Sequence, residues 1–152
     1  MKSANPRNAS KPVPTAAQRY ATLAVRQGIS LGALQSNHAR DFAVVVAVAA
    51  QAFEAGRVYT EREVNERLRA FLAGAGSMLA TDHVELRRWL IDVRVLARDG
   101  FGRAYTVGTP GPQFAAVAAQ LADVDLAALA RDARAQEAAA RAERKERWQK
   151  SR

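Results

Sequence analysis

Cysteine is absent from the 152 residues, which excludes thiol nucleophiles, disulfide frameworks and cysteine-ligated zinc together. Histidine is nearly absent. His38 and His83 stand far apart in sequence, and a metal site assembled from His38, His83 and Asp82 has no ligand spacing to support it. Long apolar runs are also missing: the longest, FAVVVAVAA, runs from Phe42 to Ala50, whereas a membrane-spanning helix needs about 20 apolar residues. The opening stretch MKSANPRNASKPVPT is polar and proline-bearing, with no apolar core of signal-peptide type. The expectation is a soluble, cytoplasmic protein with no membrane partner. There is no G-x-S-x-G, no Walker loop and no complete G-x-G-x-x-G. GAG at Gly74 and GFG at Gly100 read as turns. Nothing predicts catalysis or a cofactor.

Acidic residues are missing from the first 40 positions, and this gives the net charge of +8 its shape. Residues 1–40 carry +6, residues 41–130 carry −2 and residues 131–152 carry +4. Such a layout attracts polyanions through the ends of the chain rather than through its centre. With 49% apolar residues, the central part can bury a core without staples.

Residues 1–14 hold three prolines and no apolar periodicity, the pattern of a disordered basic arm. Residues 15–37 read as an accessory helix, TAAQRYATLAVRQ stopped by Gly28, followed by a linker. A second helix is expected from about His38 to Glu54, apolar nearly all round and therefore central; its valines would also suit a strand, but length and alanines favour helix. In YTEREVNERLRAFL, Thr60 and Glu63 form a capping box, and Val64, Leu68, Phe71 and Leu72 make one apolar stripe. After Gly74 and Gly76, a start signal at Thr81 or Asp82 opens HVELRRWLIDV, with Leu86, Leu90 and Val93 on one face. VLARDGFGRAYTV then reads as a hairpin turning at Asp99 to Gly102. Beyond TPGP, a short apolar helix with Phe114, Val117 and Leu121 precedes a long basic one starting near Asp123 or Asp125. Three acid-first pairs (Glu137 with Arg141, Glu143 with Arg147, Glu146 with Lys150) support that last helix.

The order helix, helix, helix, hairpin predicts a mostly α (α+β) protein: a winged helix-turn-helix-like domain over residues 38–108 with a β-hairpin wing, the accessory helix before it, and a helical extension over 109–152. FEAGRVYTEREVNERL, DHVELRRWLID and VLARDGFGRAY, taken in that order, resemble a bacterial family known as domain of unknown function 2087. The resemblance covers Phe53 to Tyr105. It implies a winged-helix-like fold, sometimes attached to helix-turn-helix modules of transcriptional regulators, and it implies no activity. Two departures stand out: LAGAGSMLA is longer than the usual connection between the two helices, and Arg94 stands where a glycine should end the second.

The candidate site residues follow from this layout. Arg87, Arg88, Arg94, Arg98 and Arg103, with His83, lie on the helix and hairpin that a winged helix presents to DNA, and guanidinium groups suit phosphates and guanine edges. Arg144, Lys145 and Arg147 on the C-terminal helix suit phosphates. The competing reading is that Arg87 or Arg88 pairs with Glu61, Glu63 or Glu66 and fastens two helices. Tyr59 is expected to pack back on its own helix, Asn65 to serve as a polar surface or hydrogen-bonding residue, and Trp89 to sit at the edge of the core. DNA binding in transcriptional regulation leads. A non-catalytic protein-interaction module is the alternative, and RNA or nucleoid association through the tails is a third reading. A homodimer reading a palindrome would use the helices at residues 15–27 and from 112 onward.

Overall fold

The computed structural model describes residues 12–101 and 103–151. Most of the basic arm, Gly102 in the hairpin turn and Arg152 lie outside the described residues. The fold is α+β, mostly helical with one small antiparallel sheet. Its elements are α1 (Ala16–Ala24), α2 (Leu31–Asn37), α3 (Ala39–Ala50), β1 (Tyr59–Thr60), α4 (Glu61–Ala73), α5 (His83–Asp92), β2 (Leu96–Arg98), β3 (Ala104–Val107), α6 (Pro112–Leu121) and α7 (Leu126–Lys150).

The helix starts are fixed by local chemistry. Thr15 and Thr60 each accept from the backbone N–H three residues on, and Gln18 and Glu63 reach back to the cap N–H, so α1 and α4 both begin with capping boxes. Asp82 caps α5 through the Glu85 N–H at 2.8 Å, and Asp125 caps α7 through Ala128 N–H. Each such cap contributes about 1 kcal/mol. Besides the two-residue strand β1, two elements differ from the sequence expectation. The presumed linker contains α2, started by the Ser30 hydroxyl on Ala33 N–H. The long second helix ends at Ala50 rather than Glu54, and turns carry the chain through Phe53 to β1.

One hydrophobic cluster holds these elements together. α3 runs through its middle, with every residue from Phe42 to Ala49 buried, and Tyr20, Leu23, Leu31, Leu34, Val64, Leu68, Leu86, Leu90, Leu96, Tyr105, Leu121 and Leu126 close around it. The helices flanking the 38–108 segment thus contribute to the same core as that segment. The sheet has the order β1-β3-β2. Tyr59 pairs with Tyr105 on one side of β3, and Leu96 pairs with Val107 on the other. Tyr59 is buried in this sheet, edge-on to Phe53 with 5.3 Å between centroids, and its hydroxyl accepts from Glu54 N–H. The guanidiniums of Arg57 and Arg67 lie 4.8 and 4.9 Å from its ring centre.

The long connection between α4 and α5 has a structural use. Ile29 and Leu79 form a parallel bridge, with Ile29 N–H donating to Met78 and Ala80 N–H donating to Ile29. The Tyr20 hydroxyl donates to Ala75 O at 2.8 Å, and burial pushes its pKa up against the opposing pull of the Arg134 cation. Arg134 of α7 donates to Ala24 O, to Gly74 O and to the Ser77 hydroxyl. The extra residues therefore fasten α1 and α7 to the domain.

The end of α5 explains the missing glycine. Val95 N–H returns to Leu90 O and Arg94 N–H to Ile91 O, the paired bonds of a Schellman ending. That ending needs a left-handed residue after the cap, and Arg94 supplies it with φ at 65°. A side chain in that conformation costs about 1 kcal/mol. Gly108 passes directly over this corner, where a Cβ would stand 2.4 Å from Arg94 O.

Candidate nucleic-acid interface

α5 has an inner face, where Leu86 and Leu90 are buried, and an outer face that is not. The arginine pair straddles the boundary. Arg87 turns toward α4, where its guanidinium donates to the Asn65 side-chain oxygen and lies 3.3 Å from Glu61 Oε1. Its side chain is only 17% exposed. Arg87 is therefore a fastener between the two helices, the competing reading made for this pair. Asn65 is its acceptor. Arg88, about 100° further round the helix, is exposed and has no ion-pair partner among the described residues.

The hairpin carries the next two arginines. Asp99 turns the chain, its carboxylate accepting from Arg103 N–H at 2.8 Å while its own N–H donates to Ala104 O. Arg98 and Arg103 are both exposed, and neither side chain has an ion-pair partner among the described residues. At the tip stands Phe101, 87% exposed. Between α5 and the hairpin lies a cleft of about 520 Å³ lined by Val84, Arg87, Arg88, Arg98, Asp92 and Asp99 among others. Three guanidiniums and two carboxylates leave it close to neutral, with the cations of Arg88 and Arg98 uncommitted.

The remaining candidates lie elsewhere. His83, at the first position of α5, sits 3.4 Å from the Arg69 guanidinium of α4. Arg94 lines a different cleft, between α3, α5 and α6. Arg144, Lys145 and Arg147 belong to the last turns of α7, where every residue from 141 to 150 is exposed. Within that stretch Arg144 and Arg141 share Glu137, and Lys150 pairs with Glu146. Of the arginines grouped by the sequence on α5 and the hairpin, Arg87, Arg88 and Arg98 border one cleft and Arg94 borders the other. The sequence reading missed Phe101 and Val84; the signal for both was an apolar residue on the polar face of its element. Trp89 is half-buried against Phe42, at the edge of the core as expected. Among the described residues no group of three His, Asp or Glu is placed to hold a metal ion, and no single helix is long and apolar enough to cross a membrane.

The family model described as "Uncharacterized protein conserved in bacteria (DUF2087)" matches residues 31–107, just over half of the chain. The chain belongs to that family. The matched region runs from the start of α2 to the end of β3, so it includes the sheet, the α4–α5 seam and the cleft beside the hairpin. No curated protein and no solved structure matches the chain.

Proposed function

We propose that this protein is a DNA-binding regulator of winged-helix type, with α5 entering the major groove and the β2–β3 hairpin reaching adjacent phosphates. The carrying observation is that Arg88, Arg98 and Arg103 stand exposed, without ion-pair partners among the described residues, on the two elements that frame one cleft. Two further features support the reading. The order α3, β1, α4, α5, β2, β3 with sheet order β1-β3-β2 has the helix-pair-then-hairpin arrangement that puts the second helix of the pair against DNA. The exposed cations at the end of α7 offer a second phosphate contact outside the domain.

The rival reading, a protein-interaction module, is favoured by one observation: Val84 and Phe101 expose apolar surface beside those arginines. Apolar groups on a charged rim suit a protein partner.

Fluorescence anisotropy with a pool of genomic DNA fragments, across a salt series, separates the readings. Replacing Arg98 and Arg103 by alanine should flatten the log–log salt slope by about 1.8, from roughly 0.9 per phosphate contact, and replacing Arg88 by alanine should erase preference among fragments. Replacing Arg144, Lys145 and Arg147 should weaken all fragments alike. If only the α7 variant loses binding, association is through the tail, with DNA or RNA, and the domain is not the reader. If the parent chain binds no fragment, the interaction-module reading takes its place.

A further inference from the structure

A second cleft, of about 550 Å³, opens where α3, α5 and α6 meet. Its apolar wall is a run of three rings. Phe42 lies edge-on to Trp89, with centroids 5.4 Å apart, and edge-on to Phe114, with centroids 6.2 Å apart. Phe42 is buried, while Trp89 and Phe114 are half-buried and line the cleft. Gln35, Asp92, Arg94 and Gln113 also line it, and the side chains of these four make no hydrogen bond or ion pair among the described residues. Aromatic walls with a few uncommitted polar groups are the usual make-up of a small-molecule site.

Arg94 is what gives the site a direction. The ending of α5 calls for a left-handed residue, and glycine would fill that role without strain. The chain instead holds an arginine there at φ 65°, beside this cleft rather than the arginine-lined one. Backbone strain kept where an unstrained residue would serve points to a use for the side chain. A guanidinium offers a planar pair of donors that matches a carboxylate.

We propose that this cleft binds a small aromatic carboxylate, its ring against Trp89 and Phe114 and its carboxylate on Arg94, with Gln113 and Gln35 donating at the rim. Asp92 accepts from an ammonium where the ligand carries one, so free aromatic acids and aromatic amino acids share this chemistry. The site is independent of the nucleic-acid reading.

Trp89 reports on the cleft directly once Trp148 is changed to phenylalanine, because the chain contains only these two tryptophans. The Trp148→Phe protein is titrated with phenylacetate, phenylalanine and benzylamine while Trp89 emission is followed. Phenylacetate, phenylalanine or both should give a saturable change, and benzylamine, which has the ring and an ammonium for Asp92 but no carboxylate for Arg94, should give a far weaker one. Adding Arg94→Gly should weaken that binding by about tenfold or more, the size expected for a charge-assisted pair, while thermal melting shows a Tm equal to or above the parent's. A saturable response to phenylacetate alone identifies the free acid as the source, and a response to phenylalanine alone identifies the amino acid. No saturable change with either carboxylate, an equal response to benzylamine, or undiminished binding by a folded Arg94→Gly protein overturns the proposal.

Discussion

The seam between α4 and α5 and the cleft between α5 and the hairpin are furnished with the same residue type, put to opposite uses. In the seam, Arg87 is mostly covered and has both a carboxylate and an amide oxygen to hold. In the cleft, Arg88 and Arg98 border the same space and hold nothing among the described residues. Arg87 and Arg88 are consecutive, so composition and local charge cannot tell them apart. The helical rotation between them decides which one meets Glu61 and Asn65. An arginine count over a presumed reading helix thus overstates the cations free to bind.

That contrast can be broken by substitution. The largest effect on stability belongs to the seam: Arg87→Ala strips Asn65 and Glu61 of their shared donor and should cost about 1–2 kcal/mol. Arg88→Ala should stay within about 0.5 kcal/mol of the parent. Urea midpoints at unchanged m-value measure both, and equal losses would erase the distinction between the two arginines.

The buried tyrosines sharpen the same contrast between engaged and unengaged groups at a smaller scale. The Tyr20 hydroxyl is bonded to Ala75 O, whereas the Tyr105 hydroxyl is buried without a partner among the described residues. Tyr20→Phe should therefore cost about 1 kcal/mol, and Tyr105→Phe should be neutral or stabilise by up to about 1 kcal/mol. Thermal melts of the two variants should move in opposite directions, or Tyr105 should not move at all.

The smallest effect concerns the cap that starts α4. Glu63 accepts from Thr60 N–H and from the Thr60 hydroxyl and faces Arg57, and these contacts hold its carboxyl below the usual range, the backbone bond first. A lowered folded-state pKa favours the folded protein above the unfolded value, about 4.3, and that contribution disappears as pH falls through the lower folded value. Stability of the parent should thus fall between pH 5 and pH 3 slightly more steeply than that of Glu63→Gln, which keeps an acceptor but does not titrate. Parallel acid limbs would show that the cap does not depend on the charge.

Much of the architecture is legible from local pattern alone. The Thr60 and Glu63 box, the Asp82 start, the apolar stripe of α4 and the turn at Asp99 are short-range signals, and the helices and hairpin form where those signals stand. α2 escapes because LGALQSN is short and carries no charge or strong periodicity; only Ser30 marks its start. β1 escapes because two residues cannot show alternation, and its existence depends on β3, where the partner of Tyr59, Tyr105, lies 46 positions later. The site is less legible than the fold. Which cleft an arginine borders depends on how three helices cross, so Arg94 and Arg98 look equivalent in the sequence and line different spaces.

Arg134 ties together segments that are distant along the chain: its partners Ala24, Gly74 and Ser77 are 110, 60 and 57 positions away. Closing loops of that size is entropically costly and is rewarded only when the partners are already near each other. The family segment, residues 31–107, precedes α7 in the chain, so its α4–α5 connection gains the bonds at Gly74 and Ser77 only once α7 has docked. Folding should end there, after the rate-limiting step, with Arg134→Ala changing the unfolding rate more than the folding rate.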